Sequence, residues 1–227
     1  MYMALFIINY GDWGMLRRSK ACNVLVLGFD WFRGKDNVYY PNPSGLVAEE
    51  LDGMQIDNCL IKGVVLRVSL DYLRRKLEKL LEIFKPDIVI GLGLHPYTDK
   101  PVIELVGYNL VYTETGDVDG LVFHEEISKT ERKTYTIPIE HKELLRYLRK
   151  KGYSIRPGVS IGTYLCNYVA FTIYKYAFVE KKKALFIHVP PAGELCLRMS
   201  IPSQNCMGIN SLKELVIDII KYLGKAT

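Results

Sequence analysis

The chain has 227 residues, of which 49% are hydrophobic and 24% charged, a composition typical of a globular domain. Its formal net charge of +5 is modest for this length, and a solvated loop explains the densest basic run, residues 181–183, better than a nucleic-acid patch. No segment has the ~20 consecutive apolar residues that a membrane span needs. We therefore expect neither a nucleic-acid partner nor a membrane partner.

The cysteine pattern bears on compartment and metal binding. The five cysteines are an odd number and contain no C-x-x-C pair, which argues against a disulfide framework and against a structural zinc site. Cys196 and Cys206 can pair, although the sequence does not require it. The sequence therefore predicts no metal ion and a reducing, cytoplasmic location.

The first twenty residues, MYMALFIINYGDWGMLRRSK, are interpreted as an N-terminal extension or arm. Their apolar run is too short to span a membrane, and the basic residues follow the run, whereas an export signal places them before it. An extra strand, an interface arm and a later start at Met15 all stay open. Residues 21–227 are expected to form one α/β domain.

Strands and amphipathic helices alternate along the first half of the chain. Strands are predicted at residues 23–29, 60–68 and 87–93. Helices are predicted at residues 42–51 and 69–84, the second with leucines at helical spacing. We expect Asn42 to open the first helix and Gly63 to introduce a bulge into the second strand.

The second half continues the alternation. Strands are predicted around residues 102–112, near 153–156 and at 184–190, and helices at 138–152 and 163–179. Ser211 and Glu214 form a capping-box pattern that predicts the start of the last helix. The whole pattern predicts a three-layer α/β/α sandwich around a mostly parallel mixed sheet, in a single domain.

Cys166, in the stretch GTYLCNYVAF, is the candidate nucleophile. It lies near the predicted start of a helix, where free N–H groups stabilise a thiolate and can donate to an oxyanion. A thiol nucleophile needs a base, and His188 lies at a strand end, where open α/β sheets place their sites. His141 and His124 are interpreted as surface residues, whereas His95 follows a strand and is a rival base.

Each candidate also has an ordinary structural explanation. A cysteine in apolar surroundings is most often an inert packing residue, and a histidine after a strand is most often a hydrogen-bonded core residue. Nothing in the periodicity of the sequence ties Cys166 to His188. On the residues alone, the pairing of thiol and imidazole stays open.

Four segments, in this order, match a known family: VLVLGFDWF, IELVGYN, YLCNYV and FIHVP, at residues 24–32, 103–109, 164–169 and 186–190. The sequence resembles the pyroglutamyl peptidase I family of cysteine peptidases, also called pyrrolidone carboxyl peptidases. The resemblance extends from about Asn23 to the last helix. YLCNYV followed by FIHVP is its most specific part, and PDIVIGLG and TIPI give weaker support.

The resemblance implies a cytosolic peptidase with an open α/β/α fold that removes an N-terminal pyroglutamyl residue from peptides. It implies a triad in which Cys166 is the nucleophile, His188 the base and Glu104, in ELVGYN, the orienting carboxylate. The reaction passes through a thioester and needs no metal or organic cofactor. Family members often form dimers or tetramers, so a homodimer or homotetramer is expected.

The resemblance also indicates a substrate pocket. Pyroglutamate is a small neutral lactam, so its site should be apolar and provided with amide-directed hydrogen bonds. Phe29 and Phe32, in GFDWF, are the expected aromatic walls, although burial in the core would explain them equally well without the family. Asn42 is assigned to the same substrate-binding set.

The sequence departs from the family's pattern at several positions. Thr98 stands where the family has an arginine near the site, Leu105 replaces the arginine after the glutamate, and Trp31 replaces a proline. The loop GDVDG, at residues 116–120, replaces the family's P-D-N-x-G. Two other functions therefore stay open: a divergent thiol amidohydrolase acting on another N-blocked or cyclic amide, and a non-enzymatic binding protein on this fold.

Overall fold

A computed structural model describes residues 21–33, 38–202 and 205–225, so the expected extension at residues 1–20 lies outside the described residues. The strands are β1 (Cys22–Phe29), β2 (Phe32–Arg33), β3 (Tyr39–Tyr40), β4 (Gln55–Ile56), β5 (Cys59–Leu66), β6 (Ile88–Leu94), β7 (Val102–Glu104), β8 (Val106–Tyr108), β9 (Val111–Thr113), β10 (Phe123–Glu125), β11 (Thr134–Thr136), β12 (Arg156–Gly158) and β13 (Lys183–Val189). The helices are α1 (Pro43–Leu51), α2 (Leu70–Phe84), α3 (His141–Lys150), α4 (Leu165–Glu180), α5 (Glu194–Arg198) and α6 (Ile209–Gly224).

A seven-stranded mixed sheet, in the order β12-β7-β13-β6-β1-β5-β4, forms the centre of the molecule. Strand β1 is parallel to β5 and β6, β6 is parallel to β13, and β7 is parallel to β12. The β13–β7 and β4–β5 pairs are antiparallel. Strands β1, β6 and β13 are almost wholly buried, as parallel strands covered on both faces must be.

Two groups of helices cover the sheet. Helix α1 packs on β1 and β5 and against α6, which contacts α3, while α4 packs on β6 and β13 and against α2. In α2 the buried positions are the leucine stripe expected from the sequence, at Leu70, Leu73, Leu77 and Leu81. The predicted three-layer α/β/α fold is therefore confirmed. Within the described ranges, no helix has both the length and the apolar character needed to cross a bilayer.

Two local predictions are wrong. The strand at β5 has no bulge, because Gly63 pairs with Val26 in an unbroken parallel register. The glycine is explained by the close approach of α1, since a Cβ at Gly63 would lie 1.9 Å from the backbone oxygen of Ala48. The capping box is also absent: α6 begins at Ile209, Gly208 is its N-cap without a side-chain cap, and Ser211 lies inside the helix.

The cysteine argument against disulfides is wrong as well. Two disulfides join Cys22 to Cys59 and Cys196 to Cys206. The first pair is separated by 37 residues in sequence, but its members are register partners in the parallel strands β1 and β5. Only the fold creates this proximity, which explains why spacing along the chain could not predict it. Cys166 is left as the free thiol.

Candidate active site

The start of helix α4 presents Cys166 together with free backbone donors. Cys166 is the second residue of the helix, whose N-cap is Tyr164, and no side chain caps this end. The backbone N–H groups of Leu165 and Cys166 have no hydrogen-bond acceptor among the described residues. Such unpaired donors at a helix N-terminus favour negative charge, either on the sulfur or on an oxygen beside it.

The sulfur of Cys166 lies directly over strand β6. An ideal Cβ built at Gly93 would be 2.7 Å from Cys166 Sγ, so only glycine leaves room for the thiol. Gly93 is the register partner of His188 in the neighbouring parallel strand β13. The fold therefore places the thiol above the row of the sheet that carries the histidine.

The imidazole of His188 is paired with the carboxylate of Glu104. His188 Nδ1 lies 2.8 Å from Glu104 Oε1, and both side chains are almost completely buried. The carboxylate accepts the Nδ1–H, which leaves Nε2 for the thiol. The second carboxylate oxygen, Oε2, is buried without a hydrogen-bond partner among the described residues. The three residues predicted as a triad are thus brought together.

A tyrosine from helix α4, which also carries Cys166, holds the strand that carries Glu104. The hydroxyl of Tyr174, in α4, donates to the backbone oxygen of Glu104 at 2.6 Å and accepts the N–H of Phe186 at 3.0 Å. Tyr174 is fully buried. Its hydroxyl therefore ties β7, β13 and α4 together beneath the candidate site.

The electrostatics favour a charged His188. Burial works to lower the pKa of His188, but hydrogen bonds with Cys166 and Glu104, and the negative charges of both groups, outweigh it. The net effect raises the pKa of His188 from 6.5 to about 9. The ring is therefore an imidazolium near neutral pH.

The environment of His188 differs from that of the other three histidines. The rival base, His95, has no carboxylate partner within the described ranges, and its ring centroid lies 5.3 Å from that of His188. Burial, then the positive charge on His188, lowers the pKa of His95. His141 is partly exposed on α3, and His124 is exposed but lies in strand β10 instead of the predicted loop.

A cavity of about 170 Å³ opens beside the thiol. Its lining is mainly apolar and aromatic and consists of Phe29, Phe32, Asn42, Val68, Leu94, Pro96, Tyr164, Leu165 and Cys166. The three side chains assigned to substrate binding thus surround one space next to the candidate nucleophile. Three larger cavities, of about 330, 450 and 500 Å³, include no member of the Cys–His–Glu group.

Five lining residues were not predicted: Val68, Leu94, Pro96, Tyr164 and Leu165. Each lies within three residues of the end of a predicted strand or the start of a predicted helix. Open α/β sheets bind ligands beyond the carboxyl ends of their strands, so the positions of these residues in the sequence could have predicted that they line the site.

Asn42 and Phe29 are held in place by the start of α1. Asn42 Oδ1 accepts the N–H of Ser44 at 3.1 Å and its hydroxyl at 2.7 Å. Ser44 Oγ accepts the N–H of Phe29 at 3.0 Å. The amide nitrogen of Asn42, Nδ2, has no acceptor in the described part of the chain, so it remains available as a donor at the cavity wall.

Two of the places that depart from the family's pattern, Thr98 and the loop at residues 116–120, have local structural roles. Thr98 is buried, and its hydroxyl donates to the backbone oxygen of Lys100 at 2.8 Å, while Lys100 pairs with Asp99. In the loop at residues 116–120, the carboxylate of Asp117 accepts the N–H of Leu70 at 2.8 Å and so caps the start of α2. Over the described ranges, no group of three His, Cys, Asp or Glu residues could hold a metal ion.

Comparison with known proteins identifies the family. The pyroglutamyl peptidase family matches residues 22–217. A pyrrolidone-carboxylate peptidase of Thermococcus litoralis is 35% identical over 170 residues, which cover 74% of this chain and 76% of the relative. The corresponding protein of Pyrococcus furiosus is 33% identical over 170 residues, 74% of this chain and 80% of the relative.

Solved structures agree with the sequence comparison. The crystal structure of pyrrolidone carboxyl peptidase from Pyrococcus furiosus aligns with a TM-score of 0.82 and 29% identity, covering 90% of this chain and 99% of that one. The structure from Thermococcus litoralis aligns with a TM-score of 0.81 and 30% identity, covering 91% and 96%. The chain therefore belongs to the pyroglutamyl peptidase family.

Proposed function

We propose that this protein is a cysteine peptidase that hydrolyses the amide bond after an N-terminal pyroglutamyl residue. The observation that carries the proposal is the arrangement of Cys166, His188 and Glu104 beside a small apolar cavity, in a chain that belongs to this family. The substrate class is a peptide with a blocked, cyclised N-terminus. In the proposed reaction Cys166 is the nucleophile, His188 the acid and base, and Glu104 the group that orients the ring.

Acylation begins from a charged pair. The pKa of His188 is raised to about 9, so the ring is an imidazolium near neutral pH and stabilises negative charge on the sulfur beside it. The thiolate attacks the carbonyl carbon that joins pyroglutamate to the next residue. His188 then gives the Nε2 proton to the leaving amine, the C–N bond breaks, and a thioester remains on Cys166.

The oxyanion that forms during attack needs donors in place beforehand. The unpaired N–H groups of Leu165 and Cys166 are suited to this role, since they adjoin the sulfur and the cavity. In the second half of the reaction His188 takes a proton from water, the hydroxide attacks the thioester, and pyroglutamate leaves. The thiolate is regenerated, so no cofactor enters the balance of atoms and charge.

The cavity supports a neutral lactam as the acyl group. Phe29 and Phe32 can face the flat ring, and Asn42 Nδ2 can donate to the lactam oxygen. Of the residues that the structure describes, no Asp, Glu, Lys or Arg lines the cavity. A free N-terminal ammonium group would therefore be buried there without a countercharge, which disfavours ordinary peptides.

The direct test is hydrolysis of pyroglutamyl-aminomethylcoumarin by the wild type and by Cys166→Ala. We expect release of coumarin by the wild type and a loss of at least about 10⁴-fold in the variant. Prolyl and N-acetylalanyl coumarins are the comparison substrates. Preference for one of them would favour the divergent amidohydrolase, and no turnover of any amide would favour the binding protein.

Assembly and compartment belong to the same proposal. We expect a homodimer or homotetramer, which sedimentation velocity of the purified chain would measure. Since the cysteine argument for a reducing compartment fails, the cytoplasmic location is proposed from the resemblance to cytosolic peptidases alone, and fractionation with immunoblotting would test it. A monomer, or recovery outside the cytoplasm, would overturn the respective expectation without affecting the chemistry.

A further inference from the structure

His95 lies at the edge of the site but has no part in the proposed chemistry. It directly follows β6, and both of its neighbours, Leu94 and Pro96, line the cavity. Its backbone N–H donates to the oxygen of Val189 at 2.9 Å, at the end of strand β13. The residue is therefore attached to the same strand end that carries His188.

The ring of His95 packs on the ring of His188. The two centroids are 5.3 Å apart and the planes are inclined by 82°, an edge-to-face arrangement. Phe186 contacts the ring of His188 in the same manner, with centroids 5.4 Å apart and planes at 81°. Two aromatic neighbours therefore restrict how the imidazole of His188 can turn.

A hydrogen bond fixes the orientation of His95 itself. Its Nδ1 accepts the backbone N–H of Tyr97 at 3.3 Å, so the neutral ring carries its proton on Nε2. The charged groups that act on this ring are His188, Glu104 and Arg156. Burial lowers the pKa of His95 most, and the charge of His188 lowers it next. Arg156 also lowers this pKa, whereas Glu104 works to raise it, and the net effect is a lowered pKa. An uncharged ring beside His188 leaves the imidazolium without a competing cation.

We propose that His95 is a positioning residue that, with Phe186, holds the His188 ring where Nε2 meets Cys166 and Nδ1 meets Glu104. The proposal rests on the proposed function, in which His188 must face both partners at once. It assigns the role to the packed ring of His95 and not to the hydrogen bond that His95 accepts from the turn.

Two substitutions separate these alternatives. His95→Asn removes the ring but keeps an acceptor near the position of Nδ1 for the N–H of Tyr97. His95→Phe keeps a flat ring of similar size and loses the acceptor. Tyr97→Ala is the control in the same turn: it removes an 87% exposed ring that meets the ring of His95 edge-to-face at 6.3 Å between centroids, and it leaves the backbone N–H unchanged.

The test has two readouts, of which the second does not depend on the substrate. The first is the separation of kcat from KM on pyroglutamyl-aminomethylcoumarin. The second is the rate of alkylation of Cys166 by iodoacetamide between pH 5 and pH 10, which reports the thiolate–imidazolium pair without any peptide. Thermal unfolding of each variant shows whether it is folded.

We expect His95→Asn to lower kcat by about ten- to a hundredfold at nearly unchanged KM, and to slow alkylation at neutral pH by about tenfold. His95→Phe and Tyr97→Ala should stay within about threefold of the wild type in both measurements. An active Asn variant beside an impaired Phe variant would overturn the proposal, as would a rise in KM alone or no change in either variant. If the wild type does not cleave the pyroglutamyl substrate, the proposed function fails, but the alkylation rates still decide the role of His95.

Discussion

Gly93 and His188 lie side by side in strands β6 and β13, and the sulfur of Cys166 lies above them. At the scale of single residues, the candidate site depends on the missing side chain of Gly93 as much as on its functional groups. Glu104 completes it from β7 by accepting the Nδ1–H of His188 at 2.8 Å. The charge balance within this small group sets the protonation of the ring, and the space above Gly93 sets the position of the thiol.

Substitution Glu104→Gln tests the charge balance. The carboxylate helps to raise the pKa of His188 to about 9, so its loss must lower that pKa and remove the imidazolium at a lower pH. We expect the alkaline limb of the kcat/KM profile, near pH 9 in the wild type, to move toward neutrality, and kcat to fall by about 10²–10⁴-fold. The measurement is the pH–rate profile on a pyroglutamyl substrate. Glu143→Gln, in an exposed ion pair on α3, is the control and should leave the profile unchanged.

Substitution Gly93→Ala tests the space under the thiol. The new methyl group would lie 2.7 Å from Cys166 Sγ and 2.8 Å from Phe186 Cζ, both closer than van der Waals contact allows. We expect the sulfur to be displaced and kcat to fall by about 10²-fold, in a protein that remains folded. Gly208→Ala, where the nearest atom is Ser211 Oγ at 3.5 Å, should be fully active. Equal activity of the two variants would show that the thiol can move without loss.

Helix α4 acts at the scale of elements. Its first turn carries Cys166 and unpaired N–H groups, and two turns later Tyr174 bridges β7 and β13. The candidate nucleophile and the support for the Glu104 carboxylate therefore belong to one helix. Any shift of this helix on the sheet would move both together.

Substitution Tyr174→Phe tests the bridge. It leaves the backbone oxygen of Glu104 and the N–H of Phe186 buried without their partner, a loss of ~1–3 kcal/mol in the free energy of unfolding. Denaturant unfolding measures this loss, and a lower kcat would accompany it. Tyr176→Phe is the control on the same helix, because its hydroxyl donates to Pro86 at 3.1 Å, in a part-buried position. Losses of equal size in both variants would contradict a special role for Tyr174.

At the scale of the whole molecule, sequence reasoning predicted the fold well because local patterns specify it. The leucine stripe of α2 and the apolar runs at β1, β6 and β13 depend on neighbours a few residues away. The grouping of Cys166, His188 and Glu104 depends on strand order, and only the resemblance to a family connected them. The Cys22–Cys59 disulfide and the close approach of α1 to Gly63 arise from packing between distant segments. For this reason the sequence pattern predicted neither of them correctly.

The two disulfides should contribute unequally to global stability. By loop-closure entropy, the bridge that spans 37 residues should stabilise the fold by about 4 kcal/mol and the one that spans 10 residues by about 3 kcal/mol. We therefore expect the Cys22→Ala/Cys59→Ala double variant to lose more unfolding free energy than the Cys196→Ala/Cys206→Ala double variant. Guanidinium unfolding without reductant measures both, and the reverse order would refute this account.

Pairing of the four other sulfurs has a practical consequence for Cys166. The chain holds a single thiol open to modification, so one covalent adduct on the intact protein marks one competent active centre. Intact-mass spectrometry after a short pulse of an electrophile can therefore count working molecules in any preparation. A crosslinker or fluorophore can also be placed at the reactive centre without prior removal of other cysteines.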